Sequence, residues 1–201
     1  MHKFLFFIGC LVACNSSLWA QKLTVVVNYV TKSNPPDNLA YMPGQLINWT
    51  YFQARPAESS DAAAITNAGF GLNLSFKSSE DAVELVIDVS CSFSKRKSWV
   101  KEQFKTNYIL NHERRHFDLA FIHASSFMQK LRKAKITTTN YASLIEKLYR
   151  ETADEMSQVQ NQYDAQTNHS RVVDKQSEWD SKIARQLDQV LLVERAYTLR
   201  G

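Results

Sequence analysis

Val83-Glu84-Leu85-Val86-Ile87-Asp88-Val89 is an almost unbroken apolar run rich in β-branched residues. That composition predicts a central strand, in a run that continues to Phe93. Working outward, three similar runs precede it, Leu23 to Val30, Leu46 to Phe52 and Phe70 to Phe76. Turn residues fall in three breaks, at Ser33-Asn34-Pro35-Pro36-Asp37, Arg55-Pro56 through Asp61, and Lys77 to Asp81. In Gly71-Leu72-Asn73-Leu74-Ser75-Phe76 polar and apolar residues alternate, as in a strand with one wet face. Together these runs predict a small antiparallel sheet.

Beyond residue 98 the apolar period lengthens to that of helices. Tyr141, Ile145, Leu148, Thr152, Met156, Val159 and Tyr163 recur at steps of three and four, which predicts a helix of about 23 residues, roughly 35 Å long. An earlier helix is expected from about Phe104 to Lys135, and a later one carries Trp179, Ile183, Leu187 and Val190. No repeat is visible, and no linker rich in Pro, Gly or Ser divides the chain. The expected fold class is α+β, with the sheet first and three long helices second. One domain then spans residues 21–201, β-rich over 21–98 and helical over 99–201.

The first twenty residues read as an export signal rather than as fold. Lys3 supplies the positive start, Phe4 to Val12 the apolar stretch, and Asn15 to Ala20 a small, polar exit. Cleavage after Ala20 is preferred, because the competing lipobox Leu11-Val12-Ala13-Cys14, in which Cys14 would be lipidated, leaves an unusually short signal. The protein is therefore expected outside the cytoplasm, periplasmic or secreted, touching a membrane through Cys14 if at all. Cys10 and Cys14 both belong to this segment, so Cys91 has no intrachain partner and reads as a small buried hydrophobe.

With 201 residues, 44% hydrophobic and 22% charged, the chain suits one sizeable soluble core. Five Gly and four Pro exclude collagen-like and low-complexity classes. The net charge of +4 falls by one with Lys3 and is too weak to argue for nucleic acid. The basic stretch Lys95-Arg96-Lys97, with Lys101 and Lys105, reads as a solvated face.

The chemistry concentrates in His112-Glu113-Arg114-Arg115-His116, an H-E-x-x-H match on the first long helix. Residues i and i+4 share a helix face, so two imidazoles can reach one Zn²⁺ while the Glu between them reaches the water that the metal activates. A third ligand is needed. His123 lies about 10 Å farther along the axis than His116, too far to close the site. His169 follows the second long helix, and if that helix returns antiparallel along the first, the loop after it brings His169 over the metal. Glu151, Asp154, Glu155 and Asp164 compete for the same place.

Leu110-Asn111-His112-Glu113-Arg114-Arg115-His116-Phe117-Asp118, Tyr163-Asp164-x-x-Thr167-x-His169 and Gln176-x-x-Trp179, with Trp49-x-x-Phe52 and Pro56 earlier, resemble the bacterial family of predicted secreted zinc-dependent proteases catalogued as domain of unknown function 922. The resemblance runs from about Leu46 to Leu187. It implies a zincin-like metallopeptidase holding Zn²⁺ through His112, His116 and His169, with Glu113 as general base. Asp118 and Asp164 would then orient the ligating imidazoles, and the substrate would be a peptide or protein. Ser170 departs from the pattern, where Gly is expected. Tyr149 and Tyr163 are candidate oxyanion donors, although both read first as core aromatics of the second helix. Two other classes stay open: an envelope binding module whose zinc is structural, closed by a fourth protein ligand, and a metal-free envelope protein.

Overall fold

The computed structural model describes residues 22–31, 37–79 and 82–198; the signal segment and Cys14 lie outside them. Among the described residues six strands come first and three helices second, the strands being β1 (Lys22–Tyr29), β2 (Asn38–Ala40), β3 (Ala64–Ile65), β4 (Ala68–Ser78), β5 (Ala82–Ser94) and β6 (Trp99–Val100). The helices are α1 (Asn107–Lys133), α2 (Tyr141–Thr167) and α3 (Val173–Thr198).

β5 is the central strand, as its composition predicts. β4 runs antiparallel along one edge, from Ala68 opposite Phe93 to Ser78 opposite Val83. β1 pairs with Lys22 opposite Ala82 and Tyr29 opposite Val89, and β2 with Asn38 opposite Ser94 and Ala40 opposite Ser92. Because β4 fills one edge, β1 and β2 lie end to end along the other. β1 is parallel to β5, so the sheet is mixed, a correction to the expected antiparallel one. The alternation of side chains is the same for either strand direction, and it cannot distinguish them.

The run Leu46 to Phe52 is not a strand. The Asn48 side chain accepts from the Thr50 N–H at 2.9 Å and caps a single 3-10 turn, Trp49–Tyr51. Ile47 and Phe52 are nonetheless buried, and Trp49 meets Phe52 edge to face at 4.9 Å. The apolar residues there anchor a loop into the core. The β-rich part also runs slightly past residue 98, because β6 pairs with β3.

α1 has two buried faces. Leu110, Phe117, Phe121, Ala124, Met128 and Leu131 recur at helical steps and pack on the inward row of β5, Leu85, Ile87, Val89, Cys91 and Phe93. Burial pushes the Cys91 thiol well above its usual range, which keeps it an inert core residue. On the other face, Leu119 packs with Tyr163, Trp179 and Ile183 of α2 and α3. α2 returns antiparallel along α1: Lys130 meets Thr152, and His112 meets Asp164. The basic stretch is engaged locally, with Arg96 on Asp37 and Lys105 on Glu102.

Candidate metal centre

Thr106 caps α1 by accepting from the Ile109 N–H at 3.2 Å, and the second turn of the helix carries the motif. His112 and His116 are both buried, with their Nε2 atoms 3.2 Å apart. Asp164 Oδ1, from the facing turn of α2, lies 3.1 Å from His112 Nε2 and 3.0 Å from His116 Nε2. Tyr163, fully buried, stacks on His112 at 4.5 Å and meets His116 edge-on at 5.1 Å, fixing both rings from behind.

The other nitrogen of each ring faces an amide oxygen: His112 Nδ1 lies 2.9 Å from Gln176 Oε1, and His116 Nδ1 bonds Gln160 Oε1. If both Nδ1 atoms donate, both Nε2 lone pairs face each other and a carboxylate. Three acceptors at this spacing need a positive charge among them. Around a tetrahedral zinc with bonds of about 2.0–2.1 Å, ligand atoms sit roughly 3.3 Å apart, close to what is seen. The group His112, His116 and Asp164 fits a metal ion.

Electrostatics point the same way. Burial opposes charge on His116, but its hydrogen bond to Asp164, with the charges of Asp164 and Glu113, pushes its pKa up to about 9. Burial would raise Asp164, yet its bonds to His112 and His116 hold it well below the usual carboxylate range. Without a metal, a proton supplies the central charge.

Glu113 is buried, and its Oε2 has no hydrogen-bond partner among the described residues. It lines a cleft of about 420 Å³ together with both imidazoles, Asp164, Gln160 and the Ala64–Asn67 segment. Thr66 Oγ1 donates to the Glu113 carbonyl at 3.2 Å and ties that wall to α1.

His169 lines the same cleft but stands at its mouth, with 43% of its side chain exposed and Nδ1 3.6 Å from Asp164 Oδ1. It sits on a turn of three consecutive left-handed residues, Asn168, His169 and Ser170, at φ 46°, 51° and 70°. The structure thus gives Asp164 the innermost third position, where the resemblance implies His169. Asp118 does not reach the imidazoles: it accepts from Tyr41 at 2.8 Å and Arg115 at 3.0 Å.

The remaining candidates lie elsewhere. Glu155 pairs with Lys130 and Glu151 with Lys147, while Asp154 shares a surface hollow with Arg150 and Glu151. His123 is buried, with Nδ1 2.8 Å from the Leu119 carbonyl. Tyr149 donates to the Phe70 carbonyl, and the Tyr163 hydroxyl accepts from Gln176, so both are structural. Sequence reasoning missed Gln160 and Asp180. Their signal was available in the i,i+4 pairs Gln160/Asp164 and Gln176/Asp180, which repeat the spacing of the two His.

A model of the bacterial proteins of unknown function, DUF922, matches residues 47–170. The chain belongs to this family. The matched span of this DUF922 protein holds His112, Glu113, His116, Asp164 and His169, whereas Gln176 and Trp179 lie beyond it. No curated protein and no solved structure matches the chain.

Proposed function

We propose that the protein is an exported, zincin-like zinc metallopeptidase whose ion is held by His112, His116 and Asp164. The observation that carries this reading is the buried, unpartnered Glu113 Oε2 in a cleft beside three inward-facing ligand atoms. An unsatisfied buried carboxylate oxygen costs stability, and a functional role explains why it is kept. Bound zinc would lower the pKa of a water toward about 7 and polarise a peptide carbonyl. Glu113 Oε2, buried at the cleft floor, would be the base that accepts a proton there and returns it to a leaving amine. Asp164 and the two His keep the reacting groups at the cleft floor, and the Ala64–Asn67 wall limits how a peptide enters. Export rests on the signal-like residues 1–20; no described helix is long and apolar enough to cross a membrane.

Glu113→Gln tests the reading. The variant should bind about one zinc per chain, measured by elemental mass spectrometry, and lose at least a hundredfold in peptide hydrolysis, the low end of what general-base catalysis contributes. Turnover equal to wild type would remove Glu113 as the base.

A second reading is favoured by the 3.6 Å approach of His169 to Asp164. If the ring swings inward, four protein ligands close the ion into a structural site and no position is left for water. X-ray absorption on the zinc-loaded protein separates the two: three protein ligands plus a light oxygen support the peptidase, four protein ligands the structural module.

A further inference from the structure

Asp180 touches neither imidazole but reaches His112 through a single side chain, Gln176. An amide side chain has an acceptor at one end and donors at the other, so the end facing a histidine decides which ring nitrogen keeps its hydrogen. Gln176 places Oε1 2.9 Å from His112 Nδ1, and its Nε2 is 2.6 Å from the Tyr163 hydroxyl and 3.0 Å from Asp180 Oδ1. The hydroxyl can donate as well as accept, and its long 3.5 Å bond to the His112 carbonyl commits its hydrogen only weakly, so alone it holds the amide loosely. The Asp180 carboxylate accepts alone. With its NH₂ turned to Asp180, Gln176 must offer oxygen to His112, so Nδ1 keeps a hydrogen, and Nε2, facing Asp164 Oδ1 at 3.1 Å, is the nitrogen left to meet a metal.

Asp180 is itself pinned. Arg115 Nε donates to its Oδ1 at 3.1 Å and Asn111 Nδ2 to its Oδ2 at 2.8 Å, while Asp118 braces Arg115 from the other side. His116 needs no such device, because the Gln160 Nε2 donates to the His116 backbone carbonyl at 3.3 Å, and a carbonyl can only accept.

We propose that Asp180 is a positioning residue: it locks the Gln176 amide in the one orientation that puts the hydrogen on His112 Nδ1 and frees Nε2 for a metal. This rests on the metal-centre reading above, but the position of the hydrogen is set with or without metal.

Three variants of the protein test it: Asp180→Ala, Gln176→Leu and Glu194→Ala. Glu194 is the other carboxylate tying α3 to α1, through Arg132 and Ser125. Zinc affinity, by chelator competition, should fall about 10–100-fold in Asp180→Ala and Gln176→Leu and stay at the wild-type value in Glu194→Ala, although all three lower Tm. Nitrogen-15 spectra of the zinc-free protein should show hydrogen on His112 Nδ1 in wild type and Glu194→Ala, and its loss or sharing with Nε2 in Asp180→Ala. Wild-type affinity in Asp180→Ala, an equal loss in Glu194→Ala, or a wild-type ring bare at Nδ1 would overturn the proposal. If wild type bound no zinc, the metal reading alone would fail, and the spectra would still decide the role of Asp180.

Discussion

Each end of α1 is tied to α3 by an arginine and a carboxylate, Arg115 with Asp180 and Arg132 with Glu194. At the far end the pair flanks an apolar interface, in which Phe127, Met128 and Leu131 bury against the sheet. At the near end the pair continues through Gln176 into His112 and is braced by Asp118 and Tyr41. Apolar packing has no preferred direction, so a loss there is felt as lost burial. A chain of donors and acceptors is directional, and one altered member changes what its neighbours can do.

The sharpest test of that contrast is Phe121→Ala. Phe121 is almost fully buried between Tyr29, at 5.2 Å, and Tyr41, at 4.3 Å. Its removal should cost about 3–5 kcal/mol in chemical denaturation and leave the zinc affinity of the folded fraction unchanged. A large loss of affinity in that fraction would show that the two regions are not separable.

Next in size is the response to pH. His116 is raised above its ordinary value by Asp164, so in the zinc-free protein its contribution is fully present below about pH 6.5 and is lost as pH rises through about 9. Zinc must displace that proton, and its affinity should rise roughly tenfold per pH unit between 7 and 9. Melting curves with chelator should therefore fall over this range, while the increment from added zinc grows. Parallel curves would mean that the metal does not compete for the His116 proton.

The smallest effect is expected at the turn. Ser170 at φ 70° bears the cost of a left-handed side chain. Ser170→Gly should stabilise the fold by up to about 1 kcal/mol, read as a rise in Tm, with both ends of α1 unaffected. A drop in Tm would mean that the buried hydroxyl matters more than the backbone strain.

Much of this was legible in order of physical simplicity. β5 and the three helices announce themselves through composition and period, and His112, Glu113 and His116 through spacing on one helix. What stayed hidden depends on partners distant in sequence. Lys22 pairs with Ala82 in parallel, β2, β3 and β6 are three residues or fewer, and Ile47 and Phe52 are buried without belonging to a strand. At the site, the sequence leaves Asp164 as one of four acidic competitors for the third place and, by resemblance, as a partner that orients the imidazoles. The turn that sets it inside His169 rests on three left-handed residues, none of them glycine, and no periodicity reports that.

The parallel pairing of β1 also has a kinetic consequence. β4 and β5 are neighbours in the chain, joined where the Ser79 N–H meets the Ala82 carbonyl at 2.9 Å, and their ladder can grow from a short loop. β1 finds β5 only over a sequence separation of sixty positions, from Lys22 to Ala82, and pays a larger closure entropy for each contact. The first strand of the sequence is then the late one to dock, and pulse-labelled amide exchange should protect Phe70 to Val89 before Val25 to Asn28.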